Sequence, residues 1–304
     1  MFLGIDLKDK RNRLLAISYA KDWILVAIML AVFFAIDTIH PFHREFSITD
    51  TTLMHLYATQ ESVPVWLLAV IAVVIPILII ASISLGYRRS WYDFHSGLLG
   101  LALALSLTCM MTDVIKITVG RPRPDMFDRC KPPPGIVDPP LRLLNYTICT
   151  EPFDTYEFKD GFKSFPSGHS SFSFAGLGYL AFFLAGKMHM FDGGGHTYKS
   201  FIFSIPFLGA LLIAISRVRD YRHHWQDVFI GGIIGVVFSY FAYRQYYPSL
   251  AAVKSQKPHS PRIKKIEDIF PSDNRVPDIE AGRAQRENGE AGRSESINSN
   301  SVLM

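Results

Sequence analysis

The sequence predicts an all-α integral membrane protein, a bundle of six transmembrane helices. Three observations carry this expectation. Charged residues make up 19% of the 304 residues and hydrophobic ones 49%, whereas soluble domains carry about 25% charge. Long stretches contain no Asp, Glu, Lys or Arg: 26 residues over 62–87, 19 over 94–112 and 23 over 164–186. About 20 apolar residues suffice to cross a bilayer. The charges that do occur collect in loops and in a polar tail. This balance excludes a disordered chain, a collagen-like fibre and an ordinary soluble enzyme of the same size. Three cysteines exclude a disulfide scaffold and a four-cysteine zinc module. The net charge of +4 is small and scattered, so no nucleic acid partner is expected.

The elements follow in order. Residues 1–22 form a short N-terminal segment containing Lys8, Lys10, Arg11, Arg13 and Lys21. The spans are expected at 23–40, 64–86, 95–115, 170–186, 201–216 and 228–246, making 23–247 one membrane domain. The first is read as a span and not a cleaved signal, because its apolar run is long and no small-residue cleavage site follows. A large soluble helical core is the alternative. Five uncharged runs of 16 residues or more speak against it. Basic residues before the first span, with only Arg44 close behind it, place the N-terminus in the cytoplasm. Arg88, Arg89, Lys187 and Lys199 then fall in cytoplasmic loops. The tail, 248–304, is rich in Ser, Pro, Asn and both charge signs and is expected to be a disordered, solvated cytoplasmic segment.

The 116–169 segment breaks the charge rule, since it is basic yet falls on the outer side. Two features support that side. Asn145-Tyr146-Thr147 is a glycosylation sequon, and Cys130 and Cys149 share the segment and can pair in an oxidising compartment. Cys109, inside the third span, reads as an inert buried thiol.

Three polar clusters lie on that face. Lys116-Ile-Thr-Val-Gly-Arg121-Pro-Arg123-Pro124 closes the third span, where glycine and prolines stop the helix. Ser164-Phe165-Pro166-Ser167-Gly168-His169 opens the fourth. There Ser167 is an N-cap, Gly168 permits close approach of a ligand, and the unpaired N–H groups of the first turn make an anion site. Ser216 to Asp227 links the fifth and sixth spans. On a helix His223 and Asp227 share a face, so the carboxylate can hold one imidazole nitrogen and leave the other free. Arg217 supplies a forked cation suited to phosphate. Taken singly, each cluster also reads as a basic membrane edge, a capped helix start or a hydrated loop.

Together the spacings K-x6-RP, PSGH and SR-x5-H-x3-D resemble the three signature motifs of the type 2 phosphatidic acid phosphatase superfamily, over about residues 20–247. The flanking residues and the long polar loop look like the eukaryotic lipid phosphate phosphatases, most like the fungal and plant enzymes acting on diacylglycerol pyrophosphate and phosphatidate. The resemblance implies an active site at the extracytoplasmic membrane edge, in an endomembrane or the plasma membrane. It implies hydrolysis of a lipid phosphate through a phosphohistidine. His223 would be the nucleophile, His169 the general acid, and Asp227 the residue orienting His223. Lys116, Arg123, Ser167, Gly168 and Arg217 would bind the phosphoryl group. A bent loop would exchange Arg121 for Arg123, or His224 for His223. No cofactor and no metal is expected, because three fixed cations do the work of magnesium. Zinc on His169, His223, His224 and Asp227 would be repelled by those cations. The alternatives are a sphingoid-base phosphate phosphatase and a non-catalytic protein binding or transporting an anionic lipid.

Overall fold

The computed structural model describes residues 10–263. Among these, secondary structure is helical, and the one β-type pairing is an isolated bridge between Phe46 and Leu144. We number the helices α1 (Lys10–Asp37), α2 (Val65–Tyr87), α3 (Trp91–Val119), α4 (Met126–Cys130), α5 (Tyr156–Gly161), α6 (Gly168–Lys187), α7 (Thr197–Arg219) and α8 (Trp225–Tyr246). Five of them, α1, α2, α3, α7 and α8, are long and apolar enough to cross a membrane. Their outward faces are apolar: Phe34 is 66% exposed and Phe201 69%. An apolar flank of that extent is stable against lipid tails and not against water.

The sixth expected span, α6, falls short of that hydropathy for a structural reason. It is the central helix, packed against α2, α3, α7 and α8, with none of its residues exposed. Its neighbours lie too close for large side chains. A Cβ on Gly176 would stand 2.1 Å from the Ala72 carbonyl oxygen of α2, and one on Gly235 of α8 would stand 2.4 Å from the Ser171 carbonyl oxygen. Helices in lipid associate through such small-residue faces. Ser171 also meets Thr112 of α3 at 2.9 Å. α6 therefore trades hydropathy for packing, and the six-helix bundle is built around it. Within the described residues α1 covers Lys10–Asp37, so helix also runs ahead of the span expected at 23–40.

α2 is not uniform. Two wide π-type turns, at Val70–Val74 and Ser82–Tyr87, flank a regular turn opened by Ile75 and Pro76, whose missing N–H disturbs the hydrogen-bond ladder. α3 ends at Gly120, which has φ +57°. A side chain there would strike the Phe42 carbonyl oxygen at 1.7 Å, so glycine alone closes this helix against the chain leaving α1.

At one end of the bundle, the segment between α3 and α6 folds over a small core of Phe46, Leu53, Met126, Cys130, Phe158 and Phe162. A Cys130–Cys149 disulfide braces it. At the other end, buried Asp93 accepts from Lys187 at 2.5 and 2.7 Å and from the Tyr247 hydroxyl at 3.0 Å. Beyond α8 the chain folds back onto α6. Lys187 donates to the Gln256 carbonyl at 2.9 Å, and Ser255 is buried with its hydroxyl on the Gly186 carbonyl at 3.3 Å. The compact unit extends to Ser260. Most of the polar tail, 264–304, lies outside the described residues.

Candidate active site

The three clusters meet at the end of the bundle carrying the disulfide-braced segment. His223 lies in the turn between α7 and α8 and is 3% exposed. Its Nδ1 donates to the Ser164 carbonyl oxygen at 2.7 Å. A carbonyl only accepts, so the proton is on Nδ1 and the lone pair is on Nε2. Nε2 lies 3.3 Å from Arg123 Nη1. Burial, then the charges of Arg123 and Arg217, hold the imidazole well below its ordinary pKa. His223 is a neutral ring with its basic nitrogen turned toward cations.

The expected orientation of His223 by Asp227 is not what the geometry holds. Asp227 Oδ2 stands 3.9 Å from His223 Nδ1. That carboxylate instead accepts from the Ser164 hydroxyl at 2.5 Å, from Arg121 Nη1 at 2.7 Å and from the His224 N–H at 3.0 Å. Asp227 closes the first turn of α8 as the partner in a capping box. It therefore fixes Ser164, whose carbonyl fixes His223, and acts at one remove. The same contacts separate the alternates: Arg121 and His224 serve Asp227, while Arg123 and His223 face each other.

Arg123 is locked on three sides. Its Nε donates to the Asp160 carbonyl at 2.7 Å, Nη2 to Asp160 Oδ1 at 2.6 Å, and Nη1 to the Arg222 carbonyl at 2.9 Å. Burial would raise the Asp160 carboxyl, but Arg123, Arg129 and Arg222 outweigh it and bring it down to about 2. Lys116, on the last turn of α3, sits over the start of α6: a Cβ on Gly168 would lie 3.2 Å from its Nζ. Ser167 caps α6, accepting from the Ser170 N–H. His169 donates from Nε2 to the Val63 carbonyl at 3.1 Å.

Arg217 is 1% exposed, and its Nε and Nη1 have no hydrogen-bond partner. Its Nη2 donates to Glu61 at 3.1 Å. Burial would raise the Glu61 carboxyl, but the Arg217 hydrogen bond and the charges of Arg217 and Arg222 lower it overall. The open Nε–H and Nη1–H of this buried guanidinium are donors able to take an anion. The quartet His169, His223, His224 and Asp227 does not converge as a metal-binding group among the described residues.

Sequence reasoning missed Glu61, Asp160 and the Ser164 carbonyl. No spacing marks them. The available hint was charge: so many cations in one segment need buried carboxylates nearby. The segment between α1 and α2 was likewise passed over, although its Ser62, Val63 and Glu61 contact Asp220, His169 and Arg217.

Comparison with known proteins agrees with this arrangement. A family model described as PAP2 superfamily matches residues 97–250. "Lipid phosphate phosphatase 2" of Arabidopsis thaliana is 41% identical over 75% of this chain and 77% of its own length. "Diacylglycerol pyrophosphate phosphatase 1" of Saccharomyces cerevisiae is 40% identical over 76% and 80%. "Probable diacylglycerol pyrophosphate phosphatase 1" of Schizosaccharomyces pombe is 38% identical over 76% and 82%. No solved structure matches the chain. The matched region contains all three polar clusters and the helices that bring them together, and the chain belongs to the PAP2 superfamily.

Proposed function

We propose that the protein is a membrane lipid phosphate phosphatase that acts on phosphatidate, diacylglycerol pyrophosphate or related lipids through a phosphohistidine on His223. The observation that carries this reading is the neutral His223, with its Nε2 lone pair 3.3 Å from Arg123, beside an Arg217 whose buried Nε and Nη1 lack a partner. Nε2 attacks phosphorus and the bond from phosphorus to the lipid oxygen breaks. His169, which burial and then Arg217 hold down to about 3 in the free site, takes up a proton beside the bound phosphoryl anion and gives it to that oxygen. Lys116, Arg123 and Arg217 neutralise the charge that spreads over the phosphoryl oxygens. Ser167 and the Gly168 N–H add hydrogen bonds at the helix start. Water then attacks phosphorus, the P–N bond breaks, neutral His169 takes the water's proton, and inorganic phosphate leaves. Asp227 supports this through Ser164.

The region from α1 to α8 forms the phosphatase domain. The site faces a secretory lumen or the cell exterior, supported by the basic N-terminal stretch, the even span count, the sequon at Asn145 and the Cys130–Cys149 disulfide. A site at the membrane edge suits a head group that stays in its leaflet. The test is phosphate release from phosphatidate in mixed micelles. Activity is expected to survive excess EDTA, since side chains supply both nucleophile and charge. His223→Ala is expected to abolish it. Full activity in His223→Ala, with loss in His224→Ala, would reassign the nucleophile.

A further inference from the structure

The reaction proposed above brings a phosphoryl group to Arg217, yet an anion already stands there. Glu61 Oε1 is 3.1 Å from Arg217 Nη2 and 3.0 Å from Arg222 Nη2, and Oε2 is 4.0 Å from His169 Nε2. The carboxylate thus touches an arginine that would bind phosphate and lies near the histidine that would act as acid. Its backbone is pinned. The N–H and hydroxyl of Ser62 donate to Asp220 at 2.8 and 2.6 Å, and the Val63 carbonyl accepts from His169. Three successive residues therefore dock onto α6 and the end of α7, and the contact is part of the fold.

A guanidinium as buried as Arg217 is costly without a counter-charge. Asp220 is no substitute, since its nearest oxygen lies 3.9 Å from Arg217 Nη1. Glu61 supplies that charge when no substrate is bound. An incoming dianion seeks the same cation, and two anions in a low-dielectric site repel. The groups facing Glu61 are Arg217, Arg222 and His169, with Arg123 next to them.

We infer that Glu61 is a resident counter-ion of the phosphate subsite. It neutralises Arg217 in the empty enzyme, yields it to the substrate phosphoryl group, and retakes it as inorganic phosphate leaves, so that product does not hold the site. This rests on the phosphatase reading and adds a residue outside the three clusters.

The test uses full-length protein in detergent micelles, with orthovanadate and inorganic phosphate as probes. Glu61→Gln keeps the size and an acceptor oxygen for Arg217 and loses the charge. The inhibition constants of both anions are expected to fall at least tenfold, about 1.4 kcal/mol. The KM for lipid phosphate falls with them, and kcat falls as product release slows. A residue that merely holds the loop would weaken anion binding or leave it unchanged, and either result overturns the inference. If Glu61→Gln is inactive, the rise in melting temperature with orthovanadate is compared directly. A larger rise than in the wild type supports the counter-ion, and an equal or smaller one refutes it. Unchanged Glu61→Gln constants beside an inhibited wild type sink the counter-ion alone. A wild type that neither hydrolyses lipid phosphate nor is inhibited by vanadate sinks the phosphatase reading and the counter-ion together.

Discussion

In the proposed reaction His223 and His169 take different tasks although burial, with arginine charge behind it, holds both below the ordinary imidazole range, His169 down to about 3, so position and not basicity sets them apart. His223 donates a hydrogen bond from Nδ1–H to the Ser164 carbonyl and turns the other nitrogen toward Arg123, which leaves Nε2 its lone pair. Its acid limb in kcat/KM should follow. The folded-state value is depressed, so the ring stays neutral as pH falls past the ordinary 6.5, and the limb is expected well below that pH. A limb at or above it would contradict the assignment. His169 matters only as far as the leaving oxygen needs a proton. A phosphate leaving group needs it less than an alkoxide, so His169→Ala should lose less activity on diacylglycerol pyrophosphate than on phosphatidate. Equal losses, with chemistry shown to be rate-limiting, would remove the acid role. Asp160 makes a stability prediction. Its carboxyl falls from 3.8 to about 2, so its contribution is complete above about pH 4 and is lost as pH falls through about 2. The shift corresponds to about 2 kcal/mol, and Asp160→Asn should flatten that part of an acid denaturation curve. That Lys116, Arg123, His169, Arg217 and His223 gather at one end of the bundle was legible, because their spacing sets them at helix ends. Asp160 and Glu61 were not, because their arginine partners lie 37 and 156 positions away and local pattern does not encode such pairs.

Among the elements, the long helices were read to within a few residues because absence of charge over a membrane's width is a one-dimensional signal. α4 and α5 went unseen, being of 5 and 6 residues and lacking a periodic apolar face. The centrality of α6 was also hidden. Its Gly and Ser content reads as weak hydropathy, while in the fold it is what lets α2 and α8 approach. Gly176→Ala is the check. The added methyl meets the Ala72 carbonyl at 2.1 Å, a backbone atom that cannot swing aside, so about 1–3 kcal/mol of stability should be lost. Thermal melting in detergent reads this directly. A change under about 0.5 kcal/mol would mean that α2 moves away freely.

For the whole molecule, the sidedness rests on the basic stretch at one end of α1 and on the disulfide and sequon at the other. A single cysteine placed near residue 140, in a background where Cys109 is replaced, should resist membrane-impermeant reagents in sealed vesicles whose cytoplasmic face is outward. Rapid labelling would invert the arrangement. The enclosure of α6 has a further consequence. Helices that touch acyl chains tilt or shift when the bilayer grows thinner or thicker, at a cost of fractions of a kcal/mol per Å. Here α1, α2, α7 and α8 present the lipid-facing surface, while α6, which carries His169 at its first turn, has no exposed residue. Hydrophobic mismatch is then taken up by the perimeter and does not reach this central helix. Turnover in vesicles of uniform chain length should therefore stay nearly level across lipids of about 14 to 22 carbons, once substrate surface concentration is matched. A sharp optimum at one thickness would show that the perimeter helices pull the centre with them.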